Sequence, residues 1–192
     1  ATEPGEASTA LGSTIVLKLL SDRPIFAPEL GIYSHRIGDT WLAGGASNCG
    51  GETLLQLFSQ EQLASLESSP DPAKPTGNDY YPLPSVGERF PVSDSKLAPR
   101  LTPRPADDAQ FLQGIYEAFA RVEQTGFAKL AELGGPKLRN VRHAGGGSRS
   151  TAWMTLRAQA LGVPQHTAWS EEAAAGAARL AWRSLGHEIA FT

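Results

Sequence analysis

The order of hydrophobic and polar positions predicts strands early in the chain and helices over much of the rest. An apolar run over residues 13–20 begins with β-branched side chains and indicates a strand entered from a tight turn at Gly12. Two short runs, over residues 31–37 and 40–43, flank Gly38-Asp39, a pair typical of a hairpin turn. The pattern therefore predicts that the sheet begins with antiparallel strands.

Helices are predicted on both sides of an irregular segment. Residues 44–48 are rich in glycine and predict a loop, and the helix after them would place Leu54, Leu55 and Phe58 on one face. A second helix is predicted over residues 60–66.

Residues 68–105 contain nine prolines and little periodicity, which favours an ordered loop excursion over a linker between domains. Apolar side chains that could attach this segment to a core are Tyr80, Tyr81, Leu83, Val86 and Phe90.

The clearest helix is predicted over residues 107–133, with Asp107 and Asp108 at its start and Gly134-Gly135-Pro136 ending it. Its apolar residues, which recur at helical spacing, are Phe111, Ile115, Phe119, Val122, Leu130 and Leu133. Beyond it the pattern predicts a strand over residues 138–143, a helix over 150–160, an extended segment over 163–166 and a last helix over 170–185. This order is typical of a mixed sheet with helices on its faces.

Composition narrows the class of protein. The 192 residues are 41% hydrophobic and 19% charged, as in ordinary globular domains. A net charge of -3 and scattered basic residues give no reason to expect nucleic acid or an anionic membrane as partner. Cys49 is the single cysteine, which excludes an intrachain disulfide and fits a reducing compartment. With no apolar run long enough to cross a bilayer and no signal-like start, the sequence predicts a soluble, cytoplasmic protein.

Two loops of small residues could contact a nucleotide. Gly145-Gly146-Gly147-Ser148 lies between a predicted strand and helix, where amide groups can face a phosphate, although such loops are equally often only tight turns. Leu11-Gly12-Ser13-Thr14 precedes the first predicted strand, and its hydroxyl and amide groups could donate to phosphate oxygens. The alternative is a turn in which Ser13 bonds the local backbone.

Other candidate features favour structural roles. Trp153 could offer its ring to a flat heterocycle, but a lone helical tryptophan more often belongs to the core. The small side chains of residues 172–178 favour helix packing, and Glu88-Arg89 is most simply a local ion pair. The histidines show no metal-ligand spacing, and neither a Walker-type loop nor a nucleophile with its base can be identified.

The order of these features resembles the FGGY carbohydrate kinases, a family in the superfamily that also contains actin. Leu11-Gly12-Ser13-Thr14 resembles the family's second phosphate motif, and residues 87–91 are similar to its "GERFP" segment. Residues 145–147, with Ser150 and Trp153 following, resemble the adenosine motif. Glu117-Ala118-Phe119-Ala120 is similar to the "EGIA" element, and residues 172–178 to the closing "ExxxGAA" helix. The resemblance covers residues 4–185.

This resemblance implies an α/β fold of the actin-like ATPase (ribonuclease H-like) type, a mixed sheet flanked by helices, that binds ATP with Mg2+. The loop at Gly50-Gly51 would line the cleft in which the ATP binds. The family's nucleotide site maps onto Gly12 and Ser13 at the β- and γ-phosphates, Gly146 and Gly147 along the adenosine, Ser150 near the base, and Trp153 bordering it. Gln159 departs from the aspartate of a family "AD-x-LG" element, and Ser150 from a common asparagine.

The resemblance also implies that catalysis lies outside this chain. The family's catalytic aspartate precedes a segment like residues 1–10, so the base is expected upstream of Ala1, and the family's sugar site belongs to an amino-terminal domain. We therefore expect residues 1–192 to be one carboxy-terminal nucleotide-binding domain, inactive alone, with no catalytic residue or metal ligand of its own.

The resemblance also suggests a branch of the family. Three segments are most like the D-ribulose kinase branch: Tyr33-Ser34-His35-Arg36, residues 41–51 and residues 79–83. The alternatives are a D-xylulose or other polyol kinase, or a non-catalytic actin-like regulatory module that binds nucleotide.

Overall fold

A mixed sheet forms the centre of the structure, a computed structural model that describes residues 2–186. Within those residues the sheet has six strands in the order β3-β4-β2-β1-β5-β6. They are β1 (Glu6–Leu11), β2 (Ile15–Ser21), β3 (Tyr33–Ile37), β4 (Thr40–Ser47), β5 (Asn140–Ala144) and β6 (Gln165–Thr167).

One prediction from the sequence concerns the start of the chain. Ala1, upstream of which the catalytic base is expected, lies outside the described residues. The position of the base therefore stays a prediction.

The helices of the described part follow β4, β5 and β6 along the chain. They are α1 (Gly51–Leu57), α2 (Gln60–Leu66), α3 (Asp108–Glu132), α4 (Thr151–Leu161) and α5 (Ala173–Ser184), with short 3-10 turns at Pro28–Leu30 and Gly146–Arg149. Local side chains set where three of them begin: Ser59 forms a capping box at α2, Asp107 caps α3 and Ser150 caps α4. The predicted helix over residues 60–66 is confirmed, and the other predicted helices are confirmed within a few residues.

Strand direction brings the loops of interest to one edge of the sheet. β5 runs parallel to β1, and β4 also runs in the direction of β1 because both are antiparallel to β2. The carboxyl ends of β1, β4 and β5 therefore lie at the same edge, which we call the loop edge. The loops there are the β1–β2 turn (residues 12–14), the β4–α1 loop (residues 48–50) and the β5–α4 loop (residues 145–150).

The hydrophobic core lies on one face of the sheet. Alternate side chains of β1, β2, β4 and β5 point to this face, among them Ala7, Leu17, Leu19, Ala43 and Val141. Helix α3 crosses the same face and packs on α4. On the opposite face Ser8, Ala10, Tyr33 and His35 are exposed, so the described residues cover that face only in part.

The strand predictions fail in two places. The hydrophobic pattern does not predict β1, because its buried positions are filled by the small or polar residues Ala7 and Thr9. The loop predicted over residues 44–48 is wrong, since β4 continues to Ser47. Gly44 lies against the backbone of β2 and Gly45 against the ring of Phe90, so these glycines serve close packing within a strand.

The helix-face predictions also need correction. Leu54 and Phe58 are buried as expected, but Leu55 is exposed, because successive residues of a helix point about 100° apart and Leu54 is the one that faces the core. Leu133 is likewise exposed at the end of α3.

The proline-rich segment contains no helix or strand and is attached to the core at intervals. Tyr80, Leu83 and Phe90 are buried as predicted, whereas Val86 is exposed. The hydroxyl of Thr53 donates to the carbonyl of Pro82 at 2.9 Å. The segment is therefore an ordered excursion that packs against α1 and α3, as the sequence predicts.

A buried ion pair ties both long helices to the sheet. Glu123 of α3 and Arg157 of α4 are 1% and 0% exposed. Nε and Nη2 of Arg157 donate to the two carboxylate oxygens of Glu123 at 2.5 and 2.7 Å. The hydroxyl of Thr9 on β1 also donates to Glu123, and Nη1 of Arg157 donates to the side chain of Gln165 on β6 at 2.8 Å. Both members of the bidentate pair therefore have a further hydrogen-bond partner, which helps to offset the cost of removing the two charges from water.

We expect Glu123→Gln to lower the free energy of unfolding by about 3 kcal/mol or more, because it leaves a buried guanidinium without its counter-charge. Urea unfolding followed by circular dichroism measures the change. Glu132→Gln, which removes an exposed partner of Lys129 on the same helix, is the control and should cost about 1 kcal/mol or less. Equal losses of unfolding free energy in the two variants would contradict the larger contribution expected of the buried pair.

His143 of β5 adds a pH dependence to this network. Burial, together with the nearby Arg157 guanidinium, lowers the pKa of His143 below its ordinary value of 6.5, outweighing Glu123 and Glu171, which raise it. Between the two pKa values the unfolded chain binds more protons than the folded one, so stability is present above about pH 6.5 and is lost as the pH falls. We expect the free energy of unfolding to fall less between about pH 7.5 and about pH 5.5 in His143→Gln than in the wild type. A pH slope in His143→Gln equal to that of the wild type would contradict this role of His143.

Candidate functional site

Two of the loops at the loop edge are joined by main-chain hydrogen bonds. The amide of Gly51 donates to the carbonyl of Gly12 at 2.9 Å, and the amide of Glu52 donates to the carbonyl of Ser13 at 3.1 Å. The amide of Ile15 donates to the carbonyl of Cys49 at 2.8 Å. The β1–β2 turn therefore rests on the start of α1, and the two loops have one fixed relative position.

Glycine is required where these loops touch. Gly50 has φ 153°, and a Cβ there would lie 2.6 Å from the carbonyl oxygen of Ser13. Gly145 has φ 94°, and a Cβ there would lie 2.8 Å from the carbonyl oxygen of Leu11. The three loops thus converge around the β1–β2 turn, although they come from positions far apart in the sequence.

Several hydrogen-bond donors in these loops are available to a ligand. Within residues 2–186, the amide and hydroxyl groups of Ser13 and Thr14 have no acceptor in the protein. The same holds, in this described part, for the amides of Gly146 and Gly147 at the start of the 3-10 turn. The loop edge therefore offers main-chain and hydroxyl donors, and none of these donors is a charged side chain. Such donors suit phosphate oxygens and the polar edges of a ligand.

The β5–α4 loop has one open and one supported glycine. A Cβ on Gly146 would meet nothing within 4 Å, so this residue faces open space. Gly147 lies against the ring of Trp153. Trp153 is 1% exposed and stacks on Tyr116, with ring centroids 5.5 Å apart. The ring of Trp153 therefore lies in the core beneath the loop, and its place bordering the base stays a prediction.

Ser150 acts on the helix that follows this loop. Its Oγ accepts from the amide of Trp153 at 3.1 Å and so caps α4. This capping bond holds the Ser150 hydroxyl at the start of α4. The amide of Ser150 donates to the carbonyl of the nearby Gly147 at 3.2 Å.

Glu88 holds the β4–α1 loop. Its two carboxylate oxygens accept from the hydroxyl of Ser47 and the amide of Asn48, each at 2.7 Å. The predicted ion pair between Glu88 and Arg89 is wrong: Nε of Arg89 donates instead to the side-chain oxygen of Asn48 at 2.6 Å. Burial, with the Glu88 carboxylate nearby, raises the pKa of the Cys49 thiol far above its usual value, so this cysteine stays protonated and unreactive.

The start of the last helix also reaches the loop edge. The hydroxyl of Ser148 donates to the carbonyl of Gly145 at 2.6 Å and lies 3.3 Å from the carboxylate of Glu171, and Arg149 lies 3.9 Å from the same carboxylate. Residues 172–174 and 176–178, predicted to form a packing face, are exposed in this structure. Glu171, which directly precedes the motif at residues 172–178, therefore contacts the β5–α4 loop.

Other features of the described part bear on what the loop edge can be. A cavity of about 510 Å³ lies between residues 69–78 and the start of α3, and its lining shares no residue with the three loops. No group of three metal-ligating side chains occurs among residues 2–186, and no helix there is long and apolar enough to cross a membrane. The cavity is therefore separate from the loop edge, where Gly146 faces open space.

Sequence reasoning identifies the glycine loops but overlooks Ser47 and Glu171 and misjudges Glu88. The "GERFP" segment was the one available signal for Glu88, but the partners of its carboxylate come from a loop about 40 residues away and leave no local pattern.

This chain is similar to known proteins in sequence and in structure. Residues 7–185 match the C-terminal domain of the FGGY family of carbohydrate kinases. A xyloylose kinase from Brucella ovis is 27% identical, with a TM-score of 0.80 over 97% of this chain and 40% of its own. Two structures show the fold alone: a gluconate kinase from Lactobacillus acidophilus, at 18% identity and TM-score 0.79, and a Plasmodium falciparum glycerol kinase with ADP, at 16% and 0.70.

These two matches cover 95% of this chain and 39% of each matched chain, so the chain spans about two fifths of the length of the kinases it resembles. The mixed sheet and its flanking helices are those of the actin-like ATPase fold, as predicted from the sequence. Because the family match covers nearly every described residue, the chain belongs to the FGGY family of carbohydrate kinases, as a C-terminal domain.

Proposed function

We propose that the loop edge is the nucleotide-binding surface of an ATP-dependent sugar kinase. The observation that carries this proposal is the convergence of donors without acceptors, in Ser13, Thr14, Gly146 and Gly147, at the carboxyl ends of adjacent parallel strands. Ligands of open α/β sheets bind outside such strand ends. Kinases transfer a phosphoryl group, so membership of a carbohydrate kinase family supports a phosphate-bearing ligand for these donors.

The chain's residues would bind and orient ATP rather than react with it. Ser13, with Thr14 beside it, would donate to the β- and γ-phosphates from a turn that α1 holds rigid. Gly12 would face the same phosphates without donating, because its amide already donates to the carbonyl of Thr14 at 3.1 Å. Gly146 and Gly147 would lie along the adenosine, where the open space at Gly146 admits a ligand. ATP supplies the phosphoryl group.

Two residues are given supporting roles in this proposal. Trp153 would support Gly147 from within the core, since its ring is buried. Ser150 would lie near the base and fix the start of α4, because its Oγ accepts from the amide of Trp153.

Catalysis would need residues beyond this chain. We assign these residues no Mg2+ ligand, and Mg2+ would be held by the phosphates, by water and by carboxylates outside this chain. The base that takes the proton of the sugar hydroxyl would lie upstream of Ala1, and the sugar site would belong to an amino-terminal domain. The chain would bind ATP and ADP in the cytoplasm without turning ATP over alone.

The proposed sugar is a ketopentose phosphorylated at a primary hydroxyl, with D-ribulose first. The likeness of Tyr33-Ser34-His35-Arg36 and residues 79–83 to the D-ribulose kinase branch supports it. The 27% identity to a xyloylose kinase supports D-xylulose as the alternative. A regulatory module that binds nucleotide without transferring phosphate is the second alternative.

Gly146→Asp should abolish the binding of ATP by the 192-residue chain, because it places a carboxylate where the ligand would lie. Isothermal titration calorimetry with ATP measures the loss. The open space at Gly146 makes the substitution structurally mild, so the melting temperature should stay near that of the wild type. Gly146→Ala, which adds only a methyl group at the same place, is the matched control and should retain binding. ATP binding that survives in Gly146→Asp would remove the adenosine assignment.

A full-length protein that contains this chain should turn over ATP in the presence of D-ribulose. A coupled assay of ADP release with D-ribulose, D-xylulose and glycerol measures the preference. Faster turnover with D-xylulose or glycerol would replace the proposed sugar. Turnover that no sugar stimulates would favour the regulatory alternative.

A further inference from the structure

We propose that Glu88 is a positioning residue that keeps the β1–β2 turn in the shape that receives phosphate, acting through the β4–α1 loop. This inference rests on the proposed nucleotide function of the loop edge. Glu88 itself would touch no ligand, because it is 3% exposed and lies behind the loop.

The Glu88 carboxylate accepts hydrogen bonds from five donors, most of them in one short stretch of chain. Besides the hydroxyl of Ser47 and the amide of Asn48, it accepts from the hydroxyl of Tyr81 at 3.0 Å and from the thiol of Cys49 at 3.8 Å. The amide of Arg89 donates to it at 2.8 Å. These partners are all neutral donors, and three of the five belong to residues 47–49. A buried carboxylate is stable in such a place only while its donors stay in position, so it constrains the loop that carries them.

A second set of bonds fixes the same loop from the "GERFP" segment. The side chain of Asn48 donates from Nδ2 to the carbonyl of Gly87 at 2.9 Å and accepts from Arg89. Asn48 is therefore held at its main chain by Glu88 and at its side chain by the neighbours of Glu88. The segment of residues 87–89 acts as a clamp on the end of β4.

The clamp is transmitted to the phosphate turn within a few residues. Gly50 and Gly51 follow directly, and the amides of Gly51 and Glu52 donate to the carbonyls of Gly12 and Ser13 at 2.9 and 3.1 Å. The contact at Gly50 leaves no room for a side chain, so a shift of the loop moves the turn as well. The β5–α4 loop has no hydrogen bond to Glu88, to Arg89 or to residues 47–49 in the described part of the chain.

This geometry separates the two halves of the nucleotide. Loosening the clamp should displace the donors of Ser13 and leave Gly146 and Gly147 in place. The expected result is a loss of affinity for the β- and γ-phosphates with little loss for adenosine. A residue that merely contributes to stability would weaken both equally.

The test compares Glu88→Gln with the wild-type 192-residue chain by calorimetry with ATP, ADP and adenosine. Glutamine keeps the shape but turns an NH2 group toward at least one donor. We expect affinity for ATP to fall by about tenfold or more and affinity for adenosine to change by about twofold or less. Glu117→Gln removes another carboxylate with main-chain and hydroxyl partners, at Thr76, and is the matched control that should preserve the ratio of ATP to adenosine affinity.

Hydrogen exchange provides a readout that does not depend on nucleotide. The amides of Gly51 and Glu52 should exchange about tenfold or more faster in Glu88→Gln, while that of Ile115 in α3 keeps its wild-type rate. If Glu88→Gln fails to fold, Tyr81→Phe removes one donor to the carboxylate and should change the same two amides in the same direction.

The outcomes distinguish this inference from the proposed function. A wild-type chain that binds no nucleotide, with faster exchange in Glu88→Gln, would overturn the nucleotide function and keep the clamp. Equal losses for ATP and adenosine, or unchanged exchange at Gly51 and Glu52, would overturn the positioning role of Glu88.

Discussion

The ion pair between Glu123 and Arg157 is the constraint on which the arrangement of the loop edge depends. It joins α3 to α4, and through Thr9 and Gln165 it also reaches β1 and β6. Burying two charges is costly, so the pair is stable only in the one geometry that satisfies both groups. That geometry sets α4 against the sheet and so fixes the loop between β5 and α4, which contains Gly146 and Gly147.

The loop edge is built from two supports that act on different loops. The core, through Trp153 under Gly147, supports the loop proposed to lie along adenosine. The Glu88 carboxylate supports the loop that rests against Gly12 and Ser13. The residues proposed to meet the nucleotide contribute mainly amide and hydroxyl groups, and the direction of the amides depends wholly on the backbone. Buried charges behind the surface can hold such donors in place without placing a charged side chain at the ligand.

An open loop edge is consistent with a domain that forms one side of a larger site. The chain spans about two fifths of the length of the kinases it resembles, and a cavity of about 510 Å³ lies away from the loop edge. Phosphoryl transfer requires the exclusion of water around the reacting groups, which an open edge does not achieve alone. The proposed division of labour follows: this domain positions the nucleotide, and an amino-terminal domain brings the sugar and the base.

The sequence alone determined the features that depend on near neighbours. The helix over residues 60–66, the cap at Asp107, the hairpin turn at Gly38-Asp39 and the glycine loops were all predictable, because caps, turns and periodicity act over a few residues. Tertiary structure alone decided that β1 is a strand, that Gly44 and Gly45 lie within β4, and that Glu88 binds Ser47 and Asn48 rather than the guanidinium of Arg89. Each of these depends on partners tens of residues away, and local pattern carries no record of such contacts.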